Sequence, residues 1–149
     1  MQTSGERRAI SRTGDAGAAA VEFALVAPLL VLLICGVIDL GRAYATLNQL
    51  TAAVREGARV AAVMADPGST AARADIRKAV RAYGGGLEIA PTSITVAVEN
   101  GMITVTVLKY PFQLITPLAR LVGLGSVNAD GTISMTRRAT FRWERAAIP

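Results

Sequence analysis

Apolar residues run almost without interruption from Phe23 to Ile38: no residue there is charged, and only Pro28 and Gly36 break the aliphatic succession. Small residues from Ala16 to Val21 lengthen the block to 23 positions, with Glu22 its sole charge. A helix rises about 1.5 Å per residue, so roughly 20 such residues cross a hydrocarbon core, and the block predicts a membrane-spanning helix. Lipid-embedded helices tolerate a proline such as Pro28, at the cost of a kink and one missing backbone hydrogen bond. The helical pattern continues past the block. Leu40, Tyr44, Leu47, Leu50, Val54, Ala58 and Ala61 recur at spacings of three and four and line one face, while Arg42, Asn48, Gln49, Arg55 and Arg59 occupy other angles. One helix from about Ala18 to Met64 is therefore expected, its second half amphipathic and outside the bilayer, ended by Asp66-Pro67-Gly68. Residues 1–15, polar and without a period, read as a disordered tail.

After the break, Ser69 or Thr70 is placed to cap a second helix with Ala72, Ile76, Val80 and Tyr83 on its inner face, closed by Gly84-Gly85-Gly86. The pattern then changes to β-branched alternation. Ile94, Val96 and Val98 alternate with Ser93, Thr95 and Ala97; Asn100-Gly101, a strong hairpin signal, follows; then Ile103, Val105 and Val107 alternate with Thr104 and Thr106. A two-residue turn pairs Glu99 with Met102 at the tip. It then pairs Val98 with Ile103, Val96 with Val105 and Ile94 with Val107, all aliphatic on one face, with Thr95 opposite Thr106 on the other. A slip of one residue would destroy that match. Tyr110-Pro111-Phe112 is expected to break the strand, and residues 113–131 to form a loop with a short helix from Pro117 halted by Gly123 or Gly125. A third strand from Thr132 to Phe141, with Ile133 and Met135 inward, would complete a sheet that the hairpin alone cannot sustain. The fold class is α+β: a long N-terminal transmembrane and amphipathic helix, a second short helix and a small antiparallel sheet that the amphipathic half covers.

Composition agrees with the membrane block: 52% of the chain is apolar and 18% charged, below the usual quarter. The absence of histidine excludes His-based acid–base catalysis and Ser–His or Cys–His nucleophiles, and removes zinc sites built from Cys and His clusters. Cys35 is the only cysteine, so no intramolecular disulfide forms. It lies mid-block, where a buried, inert thiol is expected, and the preceding Ile34 argues against lipidation. The net charge of +5 is uneven: residues 40–149 hold 13 of the 16 basic and 7 of the 11 acidic residues, a net +6. An anionic neighbour would suit that balance, but apart from adjacent pairs such as Arg137-Arg138 the basic residues are scattered and no aromatic ladder accompanies them, so a solvated surface is favoured and no nucleic acid is expected.

The informative residues open the block: Gly17-Ala18-Ala19-Ala20-Val21-Glu22-Phe23. A carboxylate in an apolar helix is expensive and needs a partner or a purpose. Glu22 alone could simply mark where the bilayer begins. Gly17 changes that reading, because a glycine followed by four small residues and then Glu resembles the class III signal sequences of type IV pilins and pseudopilins. That resemblance implies cleavage of a basic leader between Gly17 and Ala18 on the cytoplasmic side, leaving Glu22 as the fifth mature residue. It also implies pairing of Glu22 with the new Ala18 amine of a neighbouring subunit. Gly-x-x-x-x-Glu-aromatic followed by Ala-Leu-Val-Ala-Pro-Leu-Leu is similar to the TadE-like family, minor pseudopilins of Flp (tight adherence) pilus systems in bacteria. Asp39-Leu40-Gly41-Arg42-Ala43 and Ala52-Ala53-Val54-Arg55-Glu56-Gly57-Ala58-Arg59 resemble that family's amphipathic extension. The resemblance covers about Gly14–Val63, with Phe23 standing where Tyr is commoner.

The resemblance implies a pilin-like single-pass protein with a leader at 1–17, a transmembrane helix at 18–39, an amphipathic extension at 40–66 and a small extracytoplasmic α+β domain at 67–149. Its implied partners are membrane lipid, prepilin peptidase, other pilins or pseudopilins and the Tad assembly machinery, with no cofactor, metal or catalytic residue. Small residues at Ala16, Ala20 and Ala24 would permit close helix packing, although alanine abounds throughout. Charge does not fix topology, since Arg7, Arg8 and Arg12 on one side match Arg42, Arg55 and Arg59 on the other. Two rivals stay open. Ala43-Tyr44-Ala45 is an A-x-A triplet at which an ordinary signal peptide could be cut, releasing an envelope-binding domain. An anchored enzyme would have to rest on Ser93, Ser126 or Ser134 with Lys78 or Lys109, none of which sits in a recognisable motif, and Gly84-Gly85-Gly86 lacks the Lys that a phosphate loop requires.

Overall fold

The computed structural model describes residues 13–116 and 127–143. Helix α1 (Thr13–Ala62) is followed by α2 (Thr70–Ala82), a 3₁₀ turn at Pro91–Ser93, and strands β1 (Ile94–Glu99), β2 (Met102–Gln113) and β3 (Thr132–Arg142). The strands form one antiparallel sheet in the order β1-β2-β3, and α1 packs on α2, β2 and β3. The fold is the expected α+β arrangement.

At 50 residues α1 is about 75 Å long and continues through Pro28. It starts before the expected Ala18, so Thr13–Asp15 belong to a helix rather than to a tail, and it ends at Ala62, short of Met64. Its two halves differ in what they touch. From Val21 to Ile38 the large apolar side chains stand mostly exposed, Phe23 at 71% and Leu29 at 67%. From Leu50 onward Leu50, Ala53, Val54, Ala58 and Ala61 are fully buried. The expected apolar face is correct from Leu47 on and wrong before it, because Leu40 and Tyr44 point away from the domain while Asp39, Ala43 and Thr46 face it. Cys35 is half-buried rather than buried.

Ser69 caps α2, its hydroxyl accepting from Ala72 N at 3.2 Å. Ile76 and Val80 are buried as expected, but Tyr83 at the helix end is 58% exposed. Crossing that close to α1 requires Gly57: a Cβ there would collide with Val80 Cγ2 and lie 3.5 Å from Val105 Cγ1. Gly57 is where both helices and the sheet meet.

The hairpin adopts the expected register at every pair, from Ile94–Val107 to Glu99–Met102. Asn100 and Gly101 both have positive φ, 52° and 70°, as a two-residue turn of the type that matches strand twist demands. Beyond Val107 the expectation fails. Tyr110-Pro111-Phe112 does not break the strand; β2 runs on to Gln113, paired with β3 as Tyr110–Met135, Pro111–Ser134 and Phe112–Ile133. A bulge at Leu108-Lys109, with Lys109 at φ 49°, shifts the register and inverts the side-chain phase. Ile103, Val105 and Val107 before the bulge and Phe112 after it therefore face the same core. Pro111 is tolerated because β1 has ended by then, so this part of β2 is an edge. In β3 Met135 is buried and Ile133 half-buried, on the inward face as expected. The short helix expected from Pro117 lies outside the described residues.

Fully burying an aliphatic side chain of this size contributes about 1.5–3 kcal/mol each. The core assembled by Leu50 and Val54 of α1, Ile76 and Val80 of α2, and Ile94, Ile103, Val105 and Val107 of the sheet therefore binds the second half of α1 into one α+β domain. Trp143 closes the far end: its indole N–H donates to Met64 O at 3.0 Å and its backbone N–H to Gly101 O at 2.8 Å.

Candidate functional site

Two features of α1 concern function: the exposed first half with the residues that open it, and the junction where the α+β domain begins. Gly17, Ala18, Glu22 and Phe23 all lie in α1 with their surfaces exposed. A Cβ at Gly17 would meet nothing within 4 Å, so no packing among the described residues demands glycine there. Ala18 and Glu22, four residues apart, share one face of the helix a turn apart; Gly17 and Glu22 do not. Among the described residues Glu22 has no hydrogen-bonding or ionic partner. Ala16, Ala20 and Ala24, the small-residue row, are exposed as well. This stretch therefore offers a carboxylate and an apolar surface that the described part of the chain does not satisfy. Among the described residues α1 is the one helix long and apolar enough to cross a membrane.

The junction was not visible as a site in the sequence. Asp39 is 4% exposed and gathers the segment that follows β2. Its carboxylate accepts from Ile115 N at 3.0 and 3.1 Å, from Thr116 N at 2.9 Å and from Thr116 Oγ1 at 2.7 Å. Arg42, one turn on, donates to the same carboxylate at 3.2 Å and to Gln113 O at 3.4 Å, and its guanidinium lies 5.3 Å from the centre of the Phe112 ring. A buried carboxylate is tolerated only with such pairing. Asp39 and Arg42 thus rivet the end of β2 to α1 where the exposed apolar surface gives way to the packed one. The one sequence signal was a carboxylate at the edge of an apolar block with an arginine three residues later. Nothing in the sequence said that residues 115 and 116 would be its donors.

Farther along, Arg59 donates two hydrogen bonds to Glu56, at 2.7 and 2.9 Å, and this bonding holds the Glu56 carboxyl below its usual range. The pair is a surface feature. Of the residues considered for an anchored enzyme, Ser126 lies outside the described residues, Ser134 Oγ accepts from Asn128 Nδ2 at 3.3 Å, and the backbone N–H of Lys109 serves the bulge by donating to Thr136 Oγ1. Gly85 and Gly86 have φ of 61° and 88° and follow α2 as turn glycines.

Residues 17–59 match the family model described as TadE-like protein. The match begins at Gly17 and takes in Glu22, the apolar block, the Asp39–Arg42 junction and Gly57, so the resemblance drawn from those residues is shown over the helix that carries them. No curated protein and no solved structure matches the chain.

Proposed function

We propose that this TadE-like chain is a structural minor pseudopilin, taking part through α1 in the assembly of a Flp/Tad-type pilus or secretion fibre, with no turnover and no cofactor. The observation that carries this reading is the contrast within one continuous helix. The second half is consumed by the outer domain, whereas the first half keeps an apolar surface and a Glu22 that nothing among the described residues covers. A tether would need the apolar length but not the carboxylate, and the TadE-like match covers both.

In this reading residues 1–17 are a cytoplasmic leader, 18–39 the span of the bacterial cytoplasmic membrane, 40–66 the extension and 67–149 the extracytoplasmic domain. Prepilin peptidase cuts between Gly17 and Ala18. The cut places Glu22 in the first turns of a new helix N-terminus, whose dipole favours a carboxylate. The Glu22 carboxylate then pairs with the Ala18 amine of a neighbouring pilin or pseudopilin and sets the register of the two helices, because either charge left unpaired in an apolar bundle would be costly. Phe23 lies beside this contact.

N-terminal sequencing of the mature chain tests the proposal. A chain beginning at Ala18 supports it. A chain beginning at Thr46 supports the signal-peptide alternative, and an uncut chain supports a plain anchor. The junction weighs against the signal peptide, because cleavage after Ala45 would remove Asp39 and Arg42 and leave the Ile115 and Thr116 amides without their acceptor. Glu22→Ala should leave the outer domain folded while impairing assembly, and unchanged pilus formation sinks the assigned role.

A further inference from the structure

We infer that the outer domain is seated directly on the outer leaflet of the membrane by a collar of three exposed side chains, Leu40 and Tyr44 of α1 and Ile115 of the segment after β2. The inference rests on α1 spanning the membrane as proposed above.

The bilayer can end only where the first outward-facing charge meets it. Asp39 is the first charge after Glu22, but its carboxylate is buried under donors from Ile115, Thr116 and Arg42 and presents almost no charged surface to its surroundings. The first charge that reaches outward is Arg42, whose side chain is 44% exposed. From Glu22 to Arg42 the helix rises about 30 Å, close to the thickness of a hydrocarbon core. The outer boundary therefore falls near Arg42, about a turn beyond the residue-39 limit that hydropathy alone suggests.

That level is not bare helix. Asp39 fixes the Ile115 backbone to itself at 3.0 Å, so Ile115 sits at the height of Asp39, inside the boundary. Its side chain is 63% exposed, with Leu40 at 72% and Tyr44 at 67%. A large aliphatic residue held out in water by the Asp39 bonds beneath it would be a poor use of a rigid anchor; against lipid it is favourable. Tyr44, a turn above Leu40, has the amphipathic ring that gathers at headgroup level. Leu40 and Tyr44 follow the exposed Val37 at spacings of three and four, so on α1 the collar continues the apolar face of the spanning helix, which is why lipid rather than a separate protein is its occupant. Consequently the domain does not swing on its helix: Asp39 sets its height and the collar sets its contact with the leaflet.

Site-directed spin labelling of the full chain in vesicles of phosphatidylethanolamine and phosphatidylglycerol tests this. In a Cys35→Ser background, labels are placed through Ile115→Cys, Tyr44→Cys, Leu33→Cys as the lipid reference and Ala71→Cys as the aqueous reference. All four positions are exposed, so the substitutions leave the core intact. The readout is accessibility to oxygen relative to a water-soluble nickel chelate. The ratio at 115 should exceed that at 71 several-fold and approach that at 33, with 44 in between. A ratio at 115 equal to that at 71, while 33 reads as lipid, overturns the seating and leaves the spanning helix intact. Low accessibility to both reagents at 115 overturns it in favour of a protein neighbour. An aqueous reading at 33 overturns the seating together with the membrane span on which it rests.

Discussion

Asp39 offers the most direct test of how the first half of α1 and the α+β domain are joined. Asp39→Ala removes the acceptor for two backbone amides and one hydroxyl, all donating at 2.7–3.1 Å. A hydrogen bond to a charged group contributes about 1.5–3 kcal/mol, and a buried donor left unsatisfied costs about 1–3 kcal/mol. These bonds act as a unit, so they do not sum. The loss is bounded by the free energy of peeling residues 113–116 off α1, after which the freed amides reach water. About 3 kcal/mol is the expected change in that local opening, or roughly a hundredfold at about 1.4 kcal/mol per tenfold. Amide hydrogen exchange of the full chain in micelles measures it residue by residue. Ile115 and Thr116 amides should exchange about a hundred times faster in Asp39→Ala, while those of Ile103 and Val105, fixed by the hairpin and the core, should hold their rates. Asp39→Asn should behave almost as badly, because its amide group would present donors to donors. Thr116→Val, which removes only the hydroxyl, should cost about tenfold, in line with one such bond. Unchanged exchange at 115 and 116 in Asp39→Ala would refute the claim that this carboxylate holds the segment.

Gly57→Ala should destabilise the α+β domain by about 1–3 kcal/mol of overpacking against Val80, less up to about 1 kcal/mol of helix propensity regained, and Val80→Ala in the same chain should recover part of the loss; denaturation followed by the fluorescence of Trp143, the only tryptophan, reads both variants. Ser69→Ala should cost about 1 kcal/mol in the same assay, through loss of the α2 cap. The Glu56 carboxyl is held below its usual range, so its bond to Arg59 stabilises the fold above the unfolded pKa and is lost as pH falls through the folded one. Because the pair is solvent-facing, the stability–pH curve of Glu56→Gln should nearly superpose on that of the parent, and a large divergence on the acid side would show the pair to be structural.

The parts of the fold that were legible in the sequence are those in which one short stretch contains its own cause. The Asn100-Gly101 hairpin is the clearest case: turn geometry and alternation lie within one continuous segment, and all of the expected pairs form. The apolar block is legible for the same reason. What the sequence hid are outcomes decided between distant segments. Tyr110-Pro111-Phe112 reads as a break because proline cannot sit in a strand paired on both sides; only knowing that β1 stops opposite Val107 makes it an edge. The inversion of phase at Leu108-Lys109 likewise depends on β3 for its meaning. Leu40 and Tyr44 fit the helical stripe by spacing, yet they lie off the buried face because the domain approaches along Asp39, Ala43 and Thr46, an approach set in part by Ile115 and Thr116 far along the chain. Gly17 and Glu22 were singled out by motif alone, and no contact among the described residues marks them.

Glu22 and the junction are opposite solutions to the same electrostatic problem. Asp39 is an acidic group at the rim of the apolar segment, and the chain satisfies it with two amides, a hydroxyl and a guanidinium. Glu22 lies at the other rim of the same segment, and nothing among the described residues satisfies it. If both carboxylates merely marked the ends of a membrane span, the same solvated treatment would suffice for each. On the proposed pairing of Glu22 the two carboxylates have different tasks: Asp39 ties the α+β domain to the helix, so that a register fixed at Glu22 would be passed to the domain rather than absorbed by a hinge. Helix α1 supports that transmission, because it continues without a break from one carboxylate to the other and on to Ala62. On that proposal, a helix interrupted between the two would uncouple the register of neighbouring helices from the position of their domains.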